Sequence, residues 1–182
     1  NEEIKIYPEF PYNKNNDLND NANEIDEADK SFEESDNKEK LLYVYSSTSF
    51  EPTKAKIIND LNDIPYEYYQ TVKDLLHEFQ ERTLSTKEIK PLTSKIKKLN
   101  GFTELKNDQI RIIIKHLKNN IYCIIGVAVK KSNMDKKLYS VMSSRPIPDI
   151  TSEKLTEQLV FSKSVEKEFN NLIEEKARKG TR

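Results

Sequence analysis

Between residues 105 and 145 the chain reads LKNDQIRIIIKHLKNNIYCIIGVAVKKSNMDKKLYSVMSSR, and this stretch restricts the possible folds more than any other. Leu105, Gln109, Ile113 and Leu117, with Ile110 and Ile114 beside them, recur at intervals of three and four, which predicts an amphipathic helix. Lys106, Arg111, Lys115 and Lys118 fall on or near its other side, so the helix has an apolar back and a basic front. Asn119-Asn120 then suits a helix stop that tolerates left-handed backbone. The β-branched and aromatic run from Ile121 to Val129 predicts a strand. A polar loop over 130–136, KKSNMDK, leads to a return strand through Leu138, Tyr139, Val141 and Met142.

Upstream, residues 66–82 predict a helix with Tyr69, Val72, Leu75, Leu76 and Phe79 on one side. Ser85-Thr86-Lys87-Glu88 has the S-x-x-E spacing in which hydroxyl and carboxylate satisfy the free amides of a helix start. A second helix is therefore expected towards Leu99, its regular part starting at Pro91. Three helices followed by a strand, a basic loop and a strand define the expected fold class. It is α+β, a winged helix: a three-helix bundle with a β-hairpin wing. An acidic disordered segment and a C-terminal helix over 164–176 accompany it.

Charge is divided unevenly along the chain. Residues 1–40 carry 13 Asp and Glu against 5 Lys, whereas residues 83–145 carry 14 Lys and Arg against 4 Asp and Glu. Residues 13–40 have almost no apolar spacing and cannot offset their ordering entropy, so they read as a disordered insertion. LLYVY, residues 41–45, is a strand whose partners are expected in a preceding domain, and the start without Met points to a fragment. The expected organisation is the end of a preceding winged helix with its insertion over 1–45, a linker over 46–63, the winged-helix domain over 64–145, and a linker and helix over 146–182.

Residues 66–151 resemble the second winged helix of the thirty-four-kilodalton subunit of RNA polymerase III, a relative of the transcription factor IIE beta chain. The resemblance is carried by DKKLYSVMSSRPIPDIT, residues 135–151, by QIRIIIKHLKNN before it, and by YYQTVKDL, residues 68–75. LLYVY is similar to the closing strand of the preceding winged helix in that family. Where the family has a Gly-Gly-x-Trp-aromatic run, this chain has Ser152-Glu153-Lys154-Leu155-Thr156 and no Trp. The resemblance implies a nuclear, noncatalytic subunit of DNA-directed RNA polymerase III that acts in transcription initiation. Its implied partners are other polymerase III subunits and transcription factor IIIB. Double-stranded DNA is a further partner, with a winged helix used only for protein contacts as the alternative.

The residues themselves carry no sign of an enzyme. There is no Gly-rich phosphate loop, no readable nucleophile with a His and acid pair, and no metal-ligand spacing, so no cofactor is expected. His77 and His116 read as surface or boundary residues. The lone Cys123 reads as a small buried hydrophobe in a reducing compartment. No run of about 18 apolar residues occurs, so no membrane partner is expected. The candidate nucleic-acid or partner contacts are Lys106, Arg111, Lys115 and Lys118 on the helix front, with Lys130, Lys131, Lys136 and Lys137 on the wing.

Overall fold

The Ile-rich text that satisfies a helical repeat forms two strands of a sheet. In the computed structural model, which describes residues 40–92, 101–131 and 136–180, β3 covers Phe102–Asn107 and β4 covers Ile110–Lys118. Ile110, Ile112, Ile113 and Ile114 are all buried. A helix with one buried face cannot bury Ile112 and Ile113 together with Ile110 and Ile114. A strand covered on both faces buries consecutive apolar residues as a matter of course. β-branched side chains, stiff at χ1, favour the same outcome. Asp108 and Asn119, at φ 55° and 51°, turn the chain at the two ends of β4.

β5, Ile121–Val129, spans the residues from which the sequence predicts a strand. β1, Leu42–Tyr45, finds its partner inside the chain: it pairs parallel to β5, Val44 opposite Cys123. β2, Ile89–Leu92, closes the other edge. The sheet order is β1-β5-β4-β3-β2, antiparallel except for β1 with β5. The S-x-x-E bonds do form, with the Ser85 amide donating to Glu88 Oε1 at 2.9 Å and the Lys87 amide to Ser85 Oγ at 3.3 Å. They close a single turn before β2 and open no helix there. Pro91 fits an edge strand, where a missing amide on the open side costs nothing; residues 93–99 of the expected helix lie outside the described residues, as does 13–39 of the expected disordered segment.

Helices cover both faces. Over 46–63, where a polar linker is expected, α1 (Lys56–Leu61) buries Ile57, Ile58 and Leu61. α2 (Tyr69–Gln80), preceded by a 3-10 turn at Tyr66–Tyr68, buries the five residues that its spacing predicts. The α1 and α2 side chains join Ile112, Ile114, Tyr122 and Ile124 in one core. On the opposite face, α3 (Lys136–Ser143) places Tyr139 and Met142 against Val44, Ile113, Cys123 and Ile125. Residues 137–142 are thus helical, not a return strand, and Lys130 and Lys131, which follow β5, belong to no β-hairpin among the described residues. The last helix, α4 (Ser152–Gly180), begins twelve residues before the expected one. Its Leu155 and Leu159 pack on the α3 face and its Phe161, Val165 and Phe169 on the α2 face. At this crossing of the β1 edge, Ser162 Oγ donates to the Tyr43 carbonyl at 2.7 Å. The architecture is α+β: a five-stranded sheet between helical layers, in place of a three-helix bundle with a wing.

Candidate nucleic-acid interface

The α3 face of the sheet carries a group of cations at its margin. Side chains two apart on a strand, or opposite each other in register, share a face. The register Lys90 with Glu104, Phe102 with Lys115, and Lys106 with Arg111 therefore puts all six residues on the side that carries Phe102 and Ile113. β1 and β5 are covered there by α3 and the start of α4, and Phe102, Glu104 and Ile113 in the middle of the sheet are buried as well, so the cations stand around a buried centre. Lys90 is exposed and Lys106, Arg111 and Lys115 are half-buried. The result is a basic sheet face.

Three of these cations are the Lys106, Arg111 and Lys115 that the sequence picks out as a helix front. They converge because of a strand register and not a helical repeat. Lys130 and Lys131 follow β5 directly, and the Lys130 amide donates to the Gln109 carbonyl at 2.6 Å, which holds them beside the β3–β4 turn near Lys106 and Arg111. Lys118 lies apart, exposed at the far end of β4, roughly 20 Å from Arg111 at the usual rise per strand residue. Lys136 and Lys137 open α3. Lys90 escapes the sequence reading because nothing in the text IKPL says which strand it will sit beside.

None of Lys90, Lys106, Arg111, Lys115, Lys130 and Lys131 forms an ion pair with a carboxylate among the described residues, whose ion pairs are Lys40 with Glu81, Asp60 with Arg145 and Glu175 with Lys179. Lys115 Nζ stands 4.6 Å from the centre of the Phe102 ring, which fixes the ammonium over the sheet without neutralising it. Arg111 Nη1 donates to the carbonyls of Asp108 at 2.7 Å and Ile110 at 2.8 Å. That anchors one guanidinium nitrogen to the turn and leaves Nε and Nη2 able to donate to an anion.

Beneath the cations lies Glu104, 4% exposed, whose Oε2 accepts the Tyr139 hydroxyl at 2.8 Å. Sequence reasoning misses this pair, since nothing links a glutamate on β3 to a tyrosine 35 positions later. Burial first, and the Glu104 carboxylate second, raise the Tyr139 hydroxyl above its ordinary range, while Arg111 pulls the other way. The pair joins α3 to the middle of β3.

The remaining titratable candidates are structural. Cys123 is buried, and burial pushes its thiol up, away from the thiolate that chemistry would need. His116 Nε2 lies 2.7 Å from the Asn119 carbonyl and its ring packs on Tyr122. His77 is exposed on α2. Among the described residues no helix is long and apolar enough to cross a membrane. No family model and no curated protein matches the chain.

Proposed function

We propose that the chain is a noncatalytic nucleic-acid-binding module that meets the phosphate backbone of a duplex with the cations at the margin of its α3 sheet face. The observation that carries this reading is the convergence of Lys90, Lys106, Arg111 and Lys115, with Lys130 and Lys131 beside them, on one face where none is paired with a carboxylate among the described residues. Unpaired cations held a strand apart match a row of phosphates. Phe102, 7% exposed and lying under Lys115, is not available to stack on a base. The expected contact is therefore electrostatic and independent of sequence.

Membership of the polymerase III apparatus, with a nuclear location and transcription factor IIIB as partner, stays part of the proposal through YYQTVKDL, which is helical as the resemblance implies. The other two segments support it less, because QIRIIIKHLKNN, read as a helix, lies in β4 and its turns, and DKKLYSVMSSRPIPDIT, read as a wing strand, holds α3. A protein-docking use of the same basic face is the second reading.

Titration of a DNA duplex with the parent and with a Lys106→Ala, Arg111→Ala, Lys115→Ala variant at several salt concentrations tests the proposal. The variant should fold, bind all duplexes more weakly, and flatten the plot of log affinity against log salt by about one unit per lost phosphate contact, up to about three. Coincident slopes for parent and variant would overturn it. A loss of binding to transcription factor IIIB in that case would favour the docking reading.

A further inference from the structure

We infer that the cleft between α2 and α4 binds a small zwitterion, of the size of a free α-amino acid, with its carboxylate towards Lys73 and His77 and its ammonium towards Glu166. The cleft, of about 180 Å³, opens on the α2 side of the sheet, away from the cations of the α3 face. Its floor is apolar: Tyr43, Tyr45 and Phe169, each at most 5% exposed, with Leu76 beside them. Two helices supply the walls. Lys73 and His77 stand one turn apart on α2, and Glu166 and Asn170 one turn apart on α4, a spacing that puts each pair on one side of its helix.

Among the described residues none of these four side chains makes a hydrogen bond or belongs to an ion pair. The Tyr45 hydroxyl, on a residue 3% exposed, has no hydrogen-bond partner among them either, whereas Tyr43 beside it donates to the Leu76 carbonyl. Buried hydroxyls are ordinarily satisfied, so one left open at the floor of a cleft marks the place of a ligand's polar group. Burial first, and the Glu166 carboxylate second, raise the Tyr45 hydroxyl above its ordinary range, so it keeps its proton and can donate it to a carboxylate oxygen. Burial likewise raises the Glu166 carboxyl, which Lys163 on its own helix lowers; a bound ammonium would add to that lowering. A gap between a wall with Lys73 and a wall with Glu166 disfavours a ligand of single sign, because one wall repels what the other attracts, and suits a ligand that brings both charges. Size narrows the class further. Sites for drug-sized ligands run from about 300 to 1,000 Å³, so this cleft stops at about a single amino acid, whose apolar side chain the ring-lined floor would take.

Titration of the isotope-labelled full chain with single free amino acids at neutral pH tests the site, the amide signals of Tyr43, Tyr45, Leu76, Glu166 and Phe169 reporting on the cleft. Leucine or phenylalanine should shift those signals with a Kd of about 0.1 to 1 mM, which a ligand of about ten heavy atoms allows. The N-acetylated and the amidated forms of the same amino acid each keep one charge and should bind the parent about tenfold more weakly. Glu166→Gln and Lys73→Met alter exposed side chains, so both variants should melt as the parent does, and each should weaken binding of the zwitterion about tenfold. The Glu166→Gln variant should also cease to tell the zwitterion from its N-acetylated form, since the partner of the ammonium is gone. No shift of those amides by either amino acid up to about 10 mM, ten times the weakest Kd expected, would overturn the site. So would equal affinity of the parent for the zwitterion and its N-acetylated form, or equal affinity of parent and both variants for the zwitterion.

Discussion

Asp60 and Arg145 meet where β1 has ended and the edge of β5 lies open. Arg145 donates to Asp60 through Nη1 to Oδ2 at 2.7 Å and Nη2 to Oδ1 at 2.9 Å, and its Nη1 reaches the Ile125 carbonyl at 3.0 Å. Asp60 Oδ2 also accepts the Val127 amide at 2.9 Å. One ion pair thus satisfies the unpaired backbone groups of a strand edge and ties the α1 layer to the end of α3. Gly126 makes room for it, since an added Cβ would meet Arg145 Nη1, Asp60 Oδ2 and Met142 Sδ. Asp60→Ala strands a largely buried guanidinium and is expected to lower unfolding free energy by about 3 to 5 kcal/mol, measured by urea denaturation. The Asp60→Ala, Arg145→Met double variant should recover part of that loss, as a pair and not a lone charge is then removed. Tyr139→Phe should cost about 1 to 3 kcal/mol in the same assay, because it takes the hydroxyl donor from the buried Glu104 carboxylate.

At the scale of elements, β4 separates a helical from an extended reading of one text. In a helix with Ile110, Ile113, Ile114 and Leu117 buried, Ile112 lies outside the apolar face and Ile112→Asp is mild. In β4, Ile112 packs in the α2-side core and Ile113 in the α3-side core, and both are at most 1% exposed. Ile112→Asp and Ile113→Asp are therefore each expected to cost several kcal/mol and to abolish cooperative melting by circular dichroism. A folded Ile112→Asp beside an unfolded Ile113→Asp would restore the helix. α2, with its wide apolar stripe, is legible in the sequence because only one of its faces is buried. β5 is legible as well, since IYCIIGVAV is too rich in strand formers to serve two readings.

For the whole molecule, deeply buried ionisable groups set a limit at alkaline pH. Tyr45 is raised above its ordinary 10.0 by burial and next by the Glu166 carboxylate, and Cys123 above 9.0 by burial. Below about pH 9 folded and unfolded chains hold the same protons at these sites. Above it the unfolded chain releases protons that the folded chain keeps, so stability falls as pH rises, by about 1.4 kcal/mol per pH unit for each proton fully retained. Urea denaturation at pH 8, 9.5 and 10.5 should show this decline, and Tyr45→Phe should make it shallower. A flat profile would mean that Tyr45 ionises freely in the folded chain.

Composition and short-range pattern were enough for the sequence alone to determine the mixed α and β content, the positions of α2 and β5, the burial of Cys123 and the separation of acidic from basic halves. Each depends on residues within a few positions of one another. The tertiary structure decided the rest. Whether IRIII became helix or strand depended on apolar cover from both sides, which α1, α2, α3 and α4 bring from distant parts of the chain. KKLYSVM forms a helix that buries Tyr139 and Met142, three positions apart, against the sheet residues Val44, Ile113, Cys123 and Ile125, a contact that its own few residues do not supply. Lys106, Arg111 and Lys115 could be picked out as cations from the text, but their company with Lys90 and Glu104 could not, because a β register pairs residues by hydrogen bonds between strands and leaves no mark at any fixed sequence spacing.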